Sequence, residues 1–488
     1  MRQPVRLTPP EILCQSDWAN RRRSTRWSQE GPEIGDPIDF MSALAKPHDE
    51  QSPTPEHLSD LSPSQWRCGI AAWLGWLFNG LDGTLYVLVS ARFVAELLPA
   101  GASNRSVSFH ASLIQAAFMI GWAMGGAVFG RIGDRVGRSR TMSLSILTFA
   151  LFTGLCFLAH TWWELLIFRF ISSLGIGGEW AAGSSLMSET WPKSWRYVAG
   201  AALQSAYHFG LLLASIAALA LAAYDPRYVF LIGLFPALVV LWIRRAVPEP
   251  EEWRRAKSQQ RRSEPGIRDL FRGDVLPTTV KTILVSCTAL TTLWAFLFWF
   301  PIQLGELYAK HLAALNGASA VPAAEIKRQV QHYVTSVYIL GTCIAIVGNF
   351  GAGLLAKALG YRKAAALMFL GGFITLYGTY AYPHDYHTIL FWLCAANFFV
   401  QGVFGLFPLY IPPLFPTLIR TTGAGFCYNI GRIVAGVGTV VFWKITQSTG
   451  APDYSRLLVL VGFVYVPGIV IALLIPEPHD SPAPRRAP

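Results

Sequence analysis

The sequence predicts an all-α integral membrane protein whose twelve transmembrane helices form two pseudo-symmetric halves of six helices. Three observations carry this prediction: a composition too apolar for a soluble domain, twelve separate apolar segments, and an internal repeat. Of the 488 residues, 52% are hydrophobic and 14% are charged, whereas a soluble domain carries about 25% charged residues. With a mean hydropathy of +0.38, these figures exclude a soluble enzyme and a disordered scaffold.

Twelve segments are long and apolar enough to cross a membrane. A spanning helix needs about 20 apolar residues, and these segments also contain the glycine and aromatic residues that are frequent in membrane helices. They are residues 69–95, 109–130, 141–160, 163–187, 197–222, 228–246, 281–304, 332–356, 363–382, 387–411, 421–443 and 456–475. A β-barrel would show short alternating segments instead.

The spans divide the chain into five parts. Residues 1–68 are polar and rich in proline, serine and arginine, and they lack the apolar stretch of a cleaved signal peptide, so we expect a disordered cytoplasmic tail. Two six-helix bundles follow, at residues 69–246 and 281–476. A cytoplasmic loop at 247–280 separates them, and residues 477–488 form a second cytoplasmic tail.

Basic residues are distributed unevenly between alternate loops. If the N-terminus is inside, 30 of the 40 lysines and arginines lie on the inner side and 8 on the outer side. The positive-inside rule then predicts a protein of the cytoplasmic (inner) membrane with both termini in the cytoplasm. This placement accounts for the net charge of +11 without a nucleic-acid partner.

Two pairs of matching segments indicate an internal duplication. The segment 130–140 matches 353–363, because both begin with glycine, carry a second glycine seven residues later, and end in basic residues. The segment 189–196 matches 413–420 at nearly the same separation, through a shared proline and a final arginine. Two related halves commonly pack around a site at the middle of the membrane and rock against each other.

The same motifs resemble those of a known protein family. The sequence Gly-Arg-Ile-Gly-Asp-Arg-Val-Gly-Arg-Ser-Arg at 130–140 resembles the signature loop of the major facilitator superfamily, with Val136 in place of the usual aromatic residue. Segments 247–253 and 411–420 are similar to elements of its sugar-porter and metabolite:proton branches. Residues 169–192 most closely resemble its sialate:proton and lactate:proton symporters. The resemblance implies the major facilitator fold and transport by alternating access.

The resemblance also implies a cytoplasmic gate around the signature loop. Its candidate residues are Gly130, Asp134, Arg135, Gly137, Arg138, Glu189, Arg196, Glu249 and Arg420. Several of these have unlike counterparts in the second half, where Tyr361 stands for Arg138, Pro413 for Glu189 and Lys357 for Asp134. If Arg138 and Glu189 form an ion pair, we expect a latch that is strong in the first half and weak in the second.

Four ionisable residues lie well inside predicted helices: Asp82, Arg169, Glu179 and Arg432. Each costs roughly 2.5–3.5 kcal/mol at the centre of a bilayer, so such residues usually face a cavity and a partner. In the resembling families an acid on helix 1 and an arginine on helix 4 commonly form the proton-coupling pair. Asp82 and Arg169 are therefore the predicted pair, and a static pair that fastens the two helices is the alternative. Glu179 is either a second protonatable group or a hydrogen-bonding anchor within helix 4.

Arg432 is the candidate for binding an anionic substrate, because an unpaired guanidinium suits a carboxylate. Its neighbours Tyr428 and Asn429 lie on the same helix, and the repeat pairs Tyr428 and Arg432 with Gln204 and His208 on helix 5. The alternative for Arg432 is an ion pair with one of the buried acids. The alternative for His208 is a structural histidine that is hydrogen-bonded within its bundle.

These features predict a secondary active transporter that couples protons to the symport of a small organic anion, such as a monocarboxylate or a sialic-acid-like sugar acid. A transporter of neutral sugars or aromatic acids, an efflux protein and a transport-silent nutrient sensor are the alternatives. We expect no enzymatic activity and no cofactor. The seven scattered cysteines indicate neither a disulfide framework nor a metal site. The expected partners are the substrate, protons and the lipid bilayer, and the expected state is a monomer.

Overall fold

The structure, a computed structural model, describes residues 57–221, 224–260, 265–316, 322–384, 386–447 and 454–478. The described residues are mostly helical, contain no strand, and belong to one compact unit. Most of the predicted N-terminal tail and all but the first two residues of the predicted C-terminal tail lie outside them. The prediction of an all-α fold is confirmed.

Each predicted span coincides with one helix or with two consecutive helices, numbered here in chain order. They are α1 (Pro63–Glu96), α2 (Asn104–Val136), α3 (Arg138–Leu155), α4 (Trp162–Thr190), α5 (Arg196–Ala220), α6 (Val229–Ile232 and Phe235–Ala246), α7 (Val275–Asn316), α8 (Ala323–Leu359), α9 (Tyr361–Tyr380), α10 (Tyr386–Gly402 and Phe407–Tyr410), α11 (Arg420–Gln447) and α12 (Tyr454–Phe463 and Tyr465–Leu474). Nine described segments are long and apolar enough to cross a membrane. Helices α1, α9 and α11 are outside that group, so the count of twelve spans stays a prediction.

Capping residues determine where several helices begin. The Ser62 side chain accepts a hydrogen bond from the Gln65 backbone N–H, and Pro63 occupies the first turn of α1. Both features favour a helix start. Helix α1 therefore begins six residues before the predicted span, within the segment that we expected to be tail. At the start of α4 the Thr161 side chain accepts a hydrogen bond from the Glu164 backbone N–H, and the Glu164 side chain accepts one in return from the Thr161 backbone N–H.

Helices α7 and α8 are much longer than their predicted spans. Helix α7 has 42 residues and α8 has 37, whereas about 20 residues cross the hydrocarbon core. The two helices thus continue well beyond the apolar segments 281–304 and 332–356. Tyr308, in the extension of α7, stacks on Tyr333 of α8, with ring centroids 4.1 Å apart. The predicted central loop is also partly helical, because Glu251–Ser258 forms a short helix that we call the loop helix.

Small residues let helices of the two halves approach closely. A Cβ atom added at Gly425 of α11 would clash with the carbonyl oxygen of Gly126 on α2, and one added at Gly130 would meet the Thr421 carbonyl oxygen at 2.8 Å. Gly353 of α8 lies in the same way against Tyr197 of α5. Close packing through small residues is a common means of helix association in membranes. The approach at Gly130 lies in the signature loop, and we call this end of the molecule the gate end.

Candidate functional site

Asp82 and Arg169 form an ion pair between α1 and α4. Arg169 Nη1 lies 3.1 Å from Asp82 Oδ2, and the Thr153 hydroxyl of α3 donates a hydrogen bond to Asp82 Oδ1. Arg169 is fully buried and Asp82 is 2% exposed. The structure thus brings together the two residues of the predicted coupling pair, in an arrangement where each charge compensates the other.

Aromatic rings surround the guanidinium of this pair. Its central carbon lies 4.3 Å from the ring centre of Phe118 and 5.3 Å from that of Tyr86. Arg169 Nε and Nη2 have no hydrogen-bond partner among the described residues. The ring faces offer favourable electrostatic contact but no acceptor, so Arg169 depends on Asp82 for charge compensation.

Glu179 of α4 is a buried acid that forms no ion pair among the described residues. Asn79 Nδ2 donates a hydrogen bond of 2.8 Å to Glu179 Oε2, whereas Oε1 has no partner among the described residues. The carboxyl group packs against Gly75 of α1, where any Cβ atom would clash with it. With only 1% of the residue exposed, this is a buried acid held by one amide and by no described cation within 4.0 Å.

Arg432 of α11 has no carboxylate within 4.0 Å among the described residues. Its guanidinium carbon lies 3.9 Å from the ring centre of Trp122 and 5.1 Å from that of Tyr428. Its Nε donates a hydrogen bond of 3.0 Å to Asn429 Oδ1. The alternative in which Arg432 pairs with a buried acid is therefore wrong for this conformation.

Flat aromatic contacts continue from Arg432 across the boundary between the halves. Tyr428 of α11 stacks on Trp180 of α4, with ring centroids 4.0 Å apart and planes inclined by 18°. Trp76 of α1 follows, at 6.5 Å from Trp180 and 5.2 Å from Tyr207. These tryptophans are not among the residues predicted from the sequence, because tertiary packing decides which ring faces meet.

The two cationic sites are linked along one face of α2. Phe118, which lies under Arg169, and Trp122, which lies under Arg432, are one turn apart and pack edge to face at 5.7 Å. Residues four positions apart on a helix lie on the same side. A continuous row of contacts therefore joins the Asp82 pair to Arg432.

His208 and Gln204 of α5 are both buried. His208 Nε2 lies 3.3 Å from Gln401 Oε1 of α10, which brings a residue of each half together. Gln401 Nε2 in turn donates to Asn397 Oδ1 at 2.6 Å. No hydrogen bond among the described residues joins Gln204 or His208 to Arg432, so their predicted place in the anion site stays a prediction.

At the gate end, Arg138 is fully buried in a cluster of charges. Its Nη2 lies 2.9 Å from Glu189 Oε1, and its Nη1 lies 3.2 Å from Asp134 Oδ1. Arg420 of the second half binds both Glu189, at 3.1 Å, and Glu252, at 2.8 Å. We call these five residues the gate cluster. Glu252 was missed by the sequence analysis, although it lies in a motif that the analysis used.

Asp134 of α2 caps the first turn of α11. Its carboxylate accepts hydrogen bonds from the backbone N–H groups of Thr421, at 3.1 Å, and Thr422, at 2.8 Å. The Thr422 hydroxyl donates a third hydrogen bond, at 2.5 Å. A carboxylate at this position satisfies unpaired helix donors and interacts favourably with the helix dipole. Because the two helices belong to different halves, this cap also holds the halves together.

A second capping device occurs once for each half, with an acid that follows the last helix of the half. Glu249 accepts from the first backbone N–H groups of α3, including that of Arg138 at 2.6 Å, and Glu477 accepts from those of α9, including that of Arg362 at 2.9 Å. The carboxylates fit beside Gly137 and Gly360, whose positive φ values are 121° and 85° and where a Cβ atom would crowd them. Glu477 is not among the residues predicted from the sequence, although Pro-Glu-Pro at 476–478 repeats Pro-Glu-Pro at 248–250.

An aromatic stack replaces the buried arginine in the second half. Tyr361, the counterpart of Arg138, lies between Tyr197 of α5, at 4.7 Å, and Tyr410 of α10, at 4.9 Å. The ring planes are inclined by 27° in the pair with Tyr197 and by 7° in the pair with Tyr410. The two halves therefore differ at the gate end. The first half has a cluster of charged side chains at this position, and the second half has a stack of aromatic rings.

The two remaining gate candidates lie at the edge of the gate cluster. Arg196 donates a hydrogen bond of 2.5 Å to the Ser188 carbonyl oxygen, and Arg135 is exposed. Neither belongs to the cluster as defined above.

Comparisons with known proteins agree with this architecture. A family model described as Major Facilitator Superfamily matches residues 72–326. The sialic acid transporter NanX of Escherichia coli (strain K12) is 28% identical, over 85% of this chain and 98% of its own length. A probable 4-methylmuconolactone transporter of Cupriavidus pinatubonensis is also 28% identical, over 85% of this chain and 91% of its own. The solved structure of the proton:xylose symporter XylE, bound to 6-bromo-6-deoxy-D-glucose, superimposes with a TM-score of 0.67 and is 17% identical in sequence. The match covers 85% of this chain and 96% of that structure. At this identity the likeness concerns the fold only.

We predict that Asp134→Asn opens the gate end, because it removes the charge that caps α11 across the two halves and that also pairs with Arg138. A cap of this kind contributes about 1 kcal/mol, which corresponds to roughly a fivefold change in population. In a background without other cysteines, Ala181→Cys, buried beside Gly425, reports on opening through its rate of labelling by an impermeant maleimide from the predicted cytoplasmic side.

Glu477→Gln is the matched control, since Glu477 caps a helix of its own half. It should leave the labelling rate close to that of the parent. Equal rates for the parent and Asp134→Asn would show that the cap does not hold the gate end closed.

Proposed function

The chain belongs to the Major Facilitator Superfamily, and from that premise we propose that it couples protons to the symport of a small organic anion. That it is a multi-pass membrane transporter and not an enzyme follows from the family and from the relatives, which are all transporters. Monocarboxylates and sialic-acid-like sugar acids are the candidate substrates. The observation that carries the proposal is a contrast between two buried arginines. Arg169 has a carboxylate partner, whereas Arg432 has none within 4.0 Å in the part of the chain that the structure describes.

In this proposal Arg432 binds the substrate carboxylate. A buried guanidinium with no acidic partner is costly, and a bound carboxylate would offset that cost through two parallel charge-assisted hydrogen bonds. Asn429 already accepts a hydrogen bond from Arg432 Nε and so orients the guanidinium. Tyr428, Gln204 and His208 complete the proposed site. A relative named for sialic acid, an anionic sugar, supports the anionic class.

The Asp82–Arg169 pair is the proposed proton-coupling site. A carboxylate that loses its cationic neighbour more readily takes up a proton, so a helix movement that separates the pair would favour proton binding to Asp82. Thr153 holds the same carboxylate and would keep it oriented after the proton binds. Glu179 is the second candidate for a proton-binding group, because Asn79 is its only hydrogen-bond partner among the described residues.

Alternating access would proceed by rocking of the two halves. The gate cluster and the cap on α11 close one end in this conformation, and their release would open the site to the other side. We propose that this end faces the cytoplasm of a bacterial-type inner membrane, that both termini lie there, and that the protein works as a monomer. The uneven distribution of basic residues supports this orientation.

Asp82→Asn should abolish accumulation driven by a pH gradient while leaving exchange of substrate across the membrane partly intact. The reason is that asparagine keeps the shape of the side chain but cannot bind and release the coupling proton. Accumulation and exchange are measured in proteoliposomes with and without an imposed gradient. Retained exchange shows that the variant folds, and Asp225→Asn, whose side chain is 46% exposed, is the matched control. Accumulation that survives unchanged would remove Asp82 from the coupling role.

Arg432→Gln should weaken the binding of carboxylates by roughly 10- to 100-fold, since a hydrogen bond to a charged group contributes about 1.5–3 kcal/mol. Neutral analogues of the same shape should lose much less. The measurement is the affinity for each carboxylate and for its amide, with Arg328→Gln, a change in an exposed ion pair, as the control. Equal losses for the charged and the neutral ligands would indicate a structural arginine.

A further inference from the structure

Two aromatic rings lie between the guanidinium groups of Arg169 and Arg432. The ring centre of Phe118 lies 4.3 Å from the guanidinium carbon of Arg169. The ring centre of Trp122 lies 3.9 Å from that of Arg432, and the two ring centres are 5.7 Å apart. The guanidinium carbons are thus no farther apart than these three contacts laid end to end, about 14 Å. Phe118 is 1% exposed and Trp122 is 2% exposed, so the rings exclude water from the space that they fill.

A proton on Asp82 changes the charge on one side of the two rings. The ionised carboxylate compensates the charge of Arg169, whereas the neutral acid does not. Arg169 Nε and Nη2 have no hydrogen-bond partner among the described residues, so no second acceptor takes over that role there. Arg169 and Arg432 would then repel each other across the rings. For unit charges about 14 Å apart at an effective dielectric constant of about 20, this repulsion corresponds to a factor of about seven in a binding constant.

An anion bound at Arg432 would remove this repulsion, because it compensates the second cation. Proton binding at Asp82 would therefore strengthen anion binding at Arg432, and thermodynamic linkage requires the reciprocal effect by the same factor. The size of the effect depends on the medium between the two sites. Water in that space would raise the effective dielectric constant toward about 80 and reduce the factor to about twofold or less.

We propose that Phe118 and Trp122 are positioning residues, which hold the proton site and the anion site at this separation and exclude water between them, so that a proton and an anion bind cooperatively. The inference rests on the proposed function and adds the means by which its two sites influence each other. The coupling is electrostatic and requires no movement of the rings. It favours the protein with both ions bound over the protein with either ion alone, as symport requires.

The other titratable groups near the two sites would not supply this change in charge. Those that interact with Asp82, Arg169 or Arg432 within the described part of the chain are Cys156 of α3, Tyr86 of α1, Tyr207 of α5 and Tyr428 of α11. Thiols and phenols are ordinarily uncharged below about pH 8, so these groups keep their charge where a carboxyl group titrates. The change in charge therefore belongs to Asp82.

The test follows the protonation of Asp82 with pH, by infrared spectroscopy on the purified full-length protein without substrate. The carbonyl band of the protonated acid is assigned to Asp82 by its loss in Asp82→Asn. Arg432→Gln removes the charge that a bound anion would compensate, so it imitates the bound state. We expect Asp82 to bind protons about sevenfold more tightly in Arg432→Gln than in the wild type, which raises the midpoint of the titration by about 0.8 pH unit.

Arg432→Lys is the matched control, because it changes the side chain but keeps the charge, and it should leave the midpoint close to that of the wild type. The role of the rings is tested by making Arg432→Gln in two further backgrounds. Trp122→Phe keeps an apolar ring and loses no hydrogen bond, since the indole Nε1 has no partner among the described residues, and it should retain the effect. Trp122→Gln admits water and should reduce the effect to about twofold or less. Elution as a single species on size exclusion establishes that each variant is folded, and Phe118→Gln replaces Trp122→Gln if the latter does not fold.

The outcomes separate this inference from the proposed function. Equal midpoints in the wild type and Arg432→Gln, or the same shift in Arg432→Lys, would overturn the electrostatic coupling and leave Asp82 as a proton-binding group. An effect of undiminished size in the Trp122→Gln background would overturn the role of the rings. If no band depends on Asp82 at any pH at which the protein is folded, the coupling role of Asp82 and this inference both fail.

Discussion

A charge buried in a protein interior is costly unless an opposite charge compensates it, and the positions of the buried charges organise this molecule. Asp82 compensates Arg169 within the first half, and Asp134 and Glu189 compensate Arg138 at the gate end. Glu189 also binds Arg420 of the second half, so the same constraint draws the two halves together. Among the described residues, Arg432 is the buried arginine that has no acidic partner. The carboxylate of the proposed substrate would supply one.

Helix α2 connects the parts on which this account depends. From its middle to its gate end it carries the contact pair Phe118 and Trp122, then the close approach at Gly126, and finally the capping acid Asp134. Helix α11 meets it at each of the last three of these residues, through Arg432, Gly425 and the Thr421 and Thr422 backbone. A movement of α2 against α11 therefore changes the surroundings of the anion site and of the gate in a single step. These contacts provide a physical route by which the anion site and the gate end can be coupled.

Much of the fold follows from local properties of the sequence, whereas the site depends on contacts between distant segments. Apolar segments and the repeat predicted the helices, and charges retained inside them pointed to Asp82, Arg169 and Arg432. Hydropathy could not predict the full lengths of α7 and α8, because it marks only the apolar part of a helix. The Pro-Glu-Pro segment that contains Glu477 repeats an earlier segment of the sequence. The separation of these two copies differs slightly from that of the other repeated segments, so the match is not evident from the sequence. The stacking of Trp180 on Tyr428 could not be predicted, since it is decided by how the halves pack.

The central claim is that a carboxylate bound at Arg432 and a proton bound at the Asp82 pair cross the membrane together. The most direct measurement records lumenal pH with trapped pyranine and carboxylate uptake in the same proteoliposomes, with no initial pH gradient and the membrane potential held at zero. Protein-free liposomes give the baseline for passive entry of the acid. We expect acidification of the lumen in fixed proportion to protein-dependent carboxylate uptake. Uptake above the baseline without any acidification would contradict it.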